Sequence, residues 1–251
     1  MKSLVFIGLT IVSGAIAGTL LGLINQIVVE PYIDKTIGIQ TQNAINSGQM
    51  VMSTSQQSNY RIWQKGGEIA AGAIYGISLS ALFGVIFAYG RNSILLPGSN
   101  NKKKALVLAG IMFLVLFLVP TLKYPANPPG VGNPQTIYLR ETLYVGFIAT
   151  SGFTALFLVF MNKKFGDNNS LSSKKKTMIM LPVIYALVVV AAYVSFPPNP
   201  DKITTIPMDL ILNFRIAGVF TVGLFWLFLG IILGSLWDKL KPHQTSEIKS
   251  I

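Results

Sequence analysis

The 251-residue sequence contains no cysteine and only one histidine, His243. Without cysteine, the chain cannot form disulfides, iron–sulfur clusters, thiolate nucleophiles or cysteine-based zinc sites. A single histidine makes histidine-rich metal sites and Ser-His-Asp or HExxH catalysis very hard to build. The nucleotide-binding pattern GxxxxGK[ST] is also missing from the sequence, so this chain alone should not hydrolyse ATP. We therefore expect no enzyme and no tightly bound cofactor.

Charge is scarce as well, because charged residues make up 12% of the chain and an ordinary soluble domain carries about 25%. Hydrophobic residues make up 51%, and the mean hydropathy is +0.57. A bilayer core about 30 Å thick needs roughly 20 mostly apolar residues per helix. The sequence predicts an all-α polytopic membrane protein that forms one membrane domain over residues 1–251, with six spans at residues 4–29, 69–89, 105–122, 137–161, 177–196 and 210–236.

The first span also has features of a secretory signal, since Lys2 precedes it and Ala15-Ile16-Ala17 could be cleaved. Its apolar character continues to Val29, well past the length of a signal core. We favour an uncleaved first helix over removal of a signal peptide.

The basic residues are distributed unevenly among the segments between the spans. Both termini are expected in the cytoplasm of a cell-membrane protein, because the inner segments then hold thirteen of the twenty Lys and Arg residues. The net charge of +11 is thus a topology signal, and short lysine clusters without interleaved aromatic residues do not predict nucleic-acid binding. The thirteen are Lys2, Arg91, Lys102, Lys103, Lys104, Lys163, Lys164, Lys174, Lys175, Lys176, Lys239, Lys241 and Lys249.

With this orientation the six spans form three helical hairpins, and the second and third hairpins resemble each other. Each has an apolar helix, an aromatic-proline turn containing Asn-Pro, and a helix whose outer end carries Arg140 or Arg215. Spans 3–4 and 5–6 are therefore predicted to form a parallel internal repeat. A rigid corner explains most of the motif, whose turn residues are Pro125, Asn127, Pro128, Pro197, Asn199 and Pro200.

The first hairpin fits this repeat only loosely. Its outer segment, residues 30–66, is long and rich in Gln, Asn and Ser, and it could hold a short surface helix. The cytoplasmic tail is expected over residues 237–251. Small residues recur at every fourth position in spans 1, 2 and 6. This spacing predicts that the helices pack closely in lipid. The residues are Gly14, Gly18, Gly22, Gly72, Gly76, Ser80, Gly84, Gly230 and Gly234.

Charged residues within or beside the spans are costly in lipid, so their positions are informative. Glu68 or Glu141 is predicted to pair with Arg140 or Arg215 and to tie the hairpins together near the outer side. A functional interpretation is also open. Six of the nine acidic residues fall on the outer side and could form a vestibule for cations: Glu30, Asp34, Glu68, Glu141, Asp201 and Asp209.

Several of these segments resemble a known family. The run from Leu122 to Gly132, LKYPANPPGVG, followed by Thr136-Ile137-Tyr138-Leu139-Arg140, is similar to the predicted cobalt transporter subunit family CbtA. The segments at residues 18–31, 196–201 and 214–230 also look like its first helix and last hairpin. The resemblance covers nearly the whole chain.

This resemblance implies a role in cobalt uptake linked to cobalamin synthesis, beside a small single-span partner, CbtB, whose histidines could bind metal. Cobalt(II) takes nitrogen, oxygen and sulfur ligands, and this chain offers carboxylates, carbonyls and methionine sulfur but almost no imidazole. A weak transit site for the ion is therefore expected at Glu68, Glu141 and Asp209. The alternatives are a non-transporting structural or assembly subunit of a larger complex and, less favoured, an intramembrane enzyme.

Overall fold

The computed structural model describes residues 2–92, 99–165, 171–200 and 205–242, without the side chains of residues 162–178. These described residues are helical or irregular, and none of them is in a strand. The helices are α1 (Ser3–Val28), α2 (Glu30–Asn46), α3 (Thr54–Gly90), α4 (Asn101–Phe113, continuing through Leu114–Leu118 and Val119–Lys123), α5 (Ile137–Phe165), α6 (Leu171–Ser195) and α7 (Met208–Leu240).

All six predicted spans fall on helices, and five helices are long and apolar enough to cross a membrane: α1, α3, α4, α5 and α7. The fifth predicted span falls on α6, whose described apolar part, Ile179–Ser195, is shorter than a full span. It stays a prediction that the chain has six spans, that it contains an internal repeat and that both termini are cytoplasmic. The lysine side chains at positions 163, 164 and 174–176, Asp201, and residues 243–251 of the tail, with His243, lie outside the described residues; the first residues of the predicted tail continue α7 to Leu240.

The chain divides into two compact units. Unit 1 consists of residues 1–113, 128–130 and 205–251, and unit 2 consists of residues 114–127 and 131–204. Unit 1 therefore contains α1, α2, α3, the first half of α4 and α7. Unit 2 contains the second half of α4 together with α5 and α6.

In unit 1, α1 packs on α3 through glycines on both helices. A methyl group added at Gly14 would lie 2.5 Å from the carbonyl oxygen of Gly76, and one at Gly72 would lie 2.6 Å from that of Gly18. These distances are too short for any side chain, so the two backbones are in direct contact. The small-residue spacing in the sequence correctly indicates this close packing.

Aromatic side chains fill the rest of the core of unit 1. Phe83, Phe87 and Phe225 are completely buried, as is Trp237 near the end of α7. The ring of Trp237 meets that of Phe87 edge to face, with centroids 5.0 Å apart. Such contacts between large rings fix the arrangement of α3 and α7.

In unit 2, α4 contains a single π-helical turn at Leu114–Leu118, just before Pro120. Proline has no N–H to donate and crowds the carbonyl four residues earlier, so a regular α-helix cannot continue through it. Ser151 of α5 donates a hydrogen bond to the carbonyl oxygen of Val115 in this turn, at 2.6 Å. The hydroxyl of Tyr185 on α6 lies 2.6 Å from the same serine oxygen, so three helices meet at Ser151.

The segments that contain the two proline motifs are also joined within unit 2. The hydroxyl of Tyr124 donates to the carbonyl of Pro197 at 2.6 Å, and Lys123 donates to that of Tyr193 at 2.8 Å. Aromatic residues at the end of a span usually lie at the lipid–water boundary, but only 6% of Tyr124 is exposed and its ring meets that of Phe147. Its aromatic neighbours explain the difference, because they bury the ring inside the unit. Tyr138, at the start of α5, is by contrast 83% exposed.

Candidate functional site

The site begins at the junction of α1 and α2. Val29 ends α1, and α2 follows at once with Glu30 and Pro31 in its first turn, where proline costs no backbone hydrogen bond. A carboxylate in the first helical turn is also favoured by the helix dipole. Glu30 nevertheless lies in a buried position, with 5% of its surface exposed. A buried carboxylate needs a charged or hydrogen-bonding partner.

The outer part of α3 supplies those partners. This helix begins with a capping box formed by Ser53 and Gln56, so it starts well before the apolar segment that begins at residue 69. Arg61 and Lys65 lie one turn apart on the extension, opposite Glu30 and Asp34, which lie one turn apart on α2. The segment predicted as an amide-rich outer region is thus mostly two helices.

Four ion pairs join the two helices. Arg61 pairs with Glu30 and with Asp34, the latter through Nη2 and Oδ1 at 2.8 Å. Lys65 places its Nζ atom 2.8 Å from Oδ2 of Asp34 and 3.7 Å from Oε2 of Glu30. Burial alone would raise the pKa of Asp34, but the hydrogen bonds from Lys65 and Arg61 hold that pKa below its usual range. Asp34 is therefore kept ionised.

Glu68 lies about two helical turns beyond Arg61 on α3 and has a different environment. Gln26 of α1 donates a hydrogen bond to its carboxylate, and the same amide donates to the carbonyl of Lys65 at 3.1 Å. Asn25 is a second amide neighbour of this carboxylate. The pairing of Glu68 or Glu141 with Arg140 or Arg215 stays a prediction.

Glu30 and Glu68 line the same cavity of about 490 Å³ in unit 1. We call it the charged cavity. Its wall offers carboxylate oxygens, amide groups, the hydroxyl of Tyr60 and the sulfur of Met52, all of which can act as ligands to a cation. The lining residues are Glu30, Ile33, Ile37, Met52, Gln57, Tyr60, Arg61, Gln64, Glu68 and Pro129.

The other residues predicted for the site lie elsewhere. Asp209 is exposed in the first turn of α7, and Arg215 is half-buried on the same helix, both in unit 1. Arg140 and Glu141 begin α5 in unit 2, where Glu141 is exposed. Within the described part of the chain, no three His, Asp or Glu side chains come together in a group that could hold a metal ion. The weak transit site at Glu68, Glu141 and Asp209 stays a prediction.

The sequence contained a signal for the ion-pair network that we did not use. Glu30 and Asp34 are spaced i, i+4, and so are Arg61 and Lys65. This is the spacing of neighbours on one helix face. Reading residues 30–66 as an irregular segment with a short helix hid it.

These helices and the charged cavity place the chain in the class of helical membrane proteins that have a polar site beside an apolar helix. The sequence profile of the family described as probable cobalt transporter subunit (CbtA) matches residues 1–238, and the chain belongs to that family. The match confirms the resemblance noted in the motifs. No curated protein and no solved structure matches the chain.

Proposed function

We propose that this chain is the membrane subunit of a cobalt uptake transporter linked to cobalamin synthesis, working beside a small single-span partner. The observation that carries the proposal is the charged cavity, in which Glu30 and Glu68 face one space at the end of an apolar helix. Family membership supplies the ion and the subunit role. Three acidic and two basic side chains surround the region and leave it with an excess of negative charge.

We also propose that both termini are cytoplasmic and that the charged cavity faces the outside. The distribution of Lys and Arg supports this orientation. The chain has no native cysteine, so single cysteines report position directly. Ser55→Cys and Asn133→Cys should react with an impermeant thiol reagent on intact cells, and Lys103→Cys should be protected. Labelling of Lys103→Cys from outside would reverse the orientation.

In this proposal the net negative charge of the region concentrates divalent cations in the charged cavity before a narrower step. Glu68 is the entry ligand, because amides hold its carboxylate and the basic side chains of the ion-pair network hold Glu30 and Asp34. Glu141 and Asp209 would be further weak contacts along the route. Imidazole ligands, of which this chain has only His243, would come from the partner.

The experiment measures cobalt accumulation in cells that express Glu68→Gln together with the partner gene. Glutamine keeps the size of the side chain and can still accept the hydrogen bond from Gln26, so the comparison isolates charge. We expect uptake per molecule to fall by about tenfold, the lower bound of the effect of electrostatic focusing. Lys35→Gln is the control, because Lys35 is exposed on α2 and does not line the cavity. Normal uptake by Glu68→Gln at normal protein levels would contradict the proposal.

The alternative is a structural or assembly subunit that moves no ion itself. The observation in its favour is the ion-pair network, which already occupies Glu30 and Asp34 with basic side chains. This alternative predicts the opposite result for Glu68→Gln: less protein in the membrane, with uptake per remaining molecule unchanged.

A further inference from the structure

Three helix ends of unit 1 converge far from the charged cavity. The backbone N–H of Lys2, just before α1, donates to the carbonyl of Pro242, just after α7, at 2.8 Å. The ring of Trp237 on α7 meets that of Phe6 on α1, with centroids 6.0 Å apart. Arg91, directly after α3, lies over the same indole, with its Cζ atom 5.2 Å from the ring centroid. Trp237 is thus the centre of this junction.

Two hydrogen-bond donors at this junction have no acceptor. The Nε atom of Arg91 and the Nε1 atom of Trp237 are both buried and have no hydrogen-bond partner in the structure as described. Trp237 is completely buried, so bulk water does not reach its N–H group. A buried donor without a partner costs about 1–3 kcal/mol, and more when it is charged. These two atoms are closed to outside groups, but Arg91 as a whole is half-buried, so the rest of its guanidinium is where an acceptor from outside the chain can bind.

The surrounding charge indicates that the acceptor is an anion. We call Lys2, Arg91, Lys102, Lys239 and Lys241 the basic end. Of the acidic residues described in unit 1, only Asp238 lies here. Its two oxygens already accept from Asn101, at 2.7 Å from Nδ2, and from the backbone N–H of Lys102, at 3.2 Å. Asp238 holds the start of α4 and offsets at most one of the five positive charges, so most of the charge of the basic end has no counter-ion among the described residues.

The position indicates where the anion comes from. Each of the three converging helices exposes a large apolar side chain in its terminal turn: Leu4 (86%), Tyr89 (82%) and Leu240 (44%). Apolar side chains that end at a ring of basic residues match the boundary between acyl chains and headgroups. Basic pockets between helices at this depth bind anionic lipid headgroups.

We propose that Arg91, held over the ring of Trp237, forms a binding site for the phosphate of an anionic phospholipid. The exposed side of the Arg91 guanidinium donates to the phosphate oxygens, Lys2 and Lys239 add attraction, and the acyl chains lie along Leu4, Tyr89 and Leu240. The proposal does not depend on cobalt transport, since it concerns the opposite end of unit 1 from the charged cavity.

The test uses the full chain reconstituted in nanodiscs of phosphatidylcholine, with or without phosphatidylglycerol. We expect phosphatidylglycerol to raise the thermal midpoint of the unaltered protein by a few degrees. Native mass spectrometry should show it retained at least threefold over phosphatidylcholine. Arg91→Gln should lose both effects. Lys103→Gln is the matched control: it removes one positive charge from an exposed position at the start of α4, outside the basic end, and should keep both effects.

Each other outcome overturns the proposal. No gain in the unaltered protein would mean that no lipid binds, whether or not Arg91→Gln folds. Equal loss in Arg91→Gln and Lys103→Gln would mean diffuse attraction without a site. If inorganic phosphate added to phosphatidylcholine nanodiscs produces the same rise in midpoint, the site takes free phosphate and is not a lipid site.

Discussion

The two units hold their helices together in different ways. In unit 1, glycines bring the backbones of α1 and α3 into direct contact, with no space for a side chain between them. In unit 2, the second half of α4, α5 and α6 meet through hydroxyl groups at Ser151 and Tyr185 and through the rings of Tyr124, Phe147 and Phe196. The first contact depends on shape alone, and the second depends on directed hydrogen bonds and ring contacts.

The difference extends to burial. In its most apolar window, α1 of unit 1 has 39% of its residues buried, whereas α5 of unit 2 has 11%. Close backbone packing surrounds a helix with protein, while contact at a few polar points leaves most of its surface to lipid or to another subunit. Shape-based contacts should therefore tolerate added atoms worst, and polar contacts should be sensitive to the loss of single groups.

The largest effect is expected for Gly18→Leu in unit 1. Even a methyl group at this position would overlap the carbonyl group of Gly72, so the new side chain must push α1 and α3 apart. Overpacking usually costs 1–3 kcal/mol, and overlap with backbone should bring the loss above about 3 kcal/mol. The loss of stability is measured by unfolding in detergent and by the yield of folded protein.

A matched pair of smaller substitutions sharpens this prediction. Gly110 on α4 has no atom within 4 Å of the place where a side chain would begin. Gly110→Ala should be neutral or stabilising by up to about 1 kcal/mol, because alanine favours helices over glycine. Gly18→Ala should be clearly destabilising. Equal stability of the two alanine variants would contradict backbone contact between α1 and α3.

A moderate effect is expected for Ser151→Ala in unit 2. The substitution leaves the Val115 carbonyl without this donor and the Tyr185 hydroxyl without its neighbour. Hydrogen bonds between helices in lipid contribute about 0.6 kcal/mol on average and up to about 1.7 kcal/mol. We therefore expect Ser151→Ala to lower the free energy of unfolding by about 1 kcal/mol. Ser195→Ala is the control, because Ser195 is exposed and bonds only within its own helix. If both variants unfold alike, the hydroxyl contact does not hold unit 2.

The smallest effect is expected from acid. The pKa of Asp34 is held below its usual range, so its ion pairs stabilise the folded state at neutral pH. That contribution is lost only as the pH falls through the lowered pKa, beneath the ordinary aspartate value of about 3.9. Because the Asp34 side chain is 47% exposed, the loss should be a few tenths of a kcal/mol.

Unfolding of Asp34→Asn at pH values between 7 and 3 checks this. Its stability should fall less in acid than that of the unaltered protein, whereas Ser151→Ala should show the unaltered pH dependence because it removes no ionisable group. A steeper acid loss in Asp34→Asn would reverse the assigned direction of the pKa shift.

The sequence predicted the helices well because apolar length and small-residue spacing are local signals. The six apolar segments all fall on helices, and the spacing at Gly14, Gly18, Gly72 and Gly76 marks a real contact. The sequence also predicted Glu30 and Glu68 among the acidic residues of the outer side, and both line the wall of one cavity.

Other features depended on distant parts of the chain. The ion pairs join residues about 30 positions apart, and their geometry exists only because α3 starts at Thr54 rather than at its apolar part. The burial of Tyr124 depends on Phe147, and the π turn depends on how α4 accommodates Pro120. Composition and spacing within one segment contain none of this information.

The length of α3 also has a mechanical consequence. With 37 residues and a rise of 1.5 Å each, it is a rod of about 55 Å. Its glycine contact with α1 includes Gly76, which lies fifteen residues from Arg61 and fifteen from Arg91. The contact is thus a fulcrum at equal distances of about 22 Å from both arginines. A rigid tilt of about 5° at this fulcrum would swing the two arginines by about 2 Å in opposite directions.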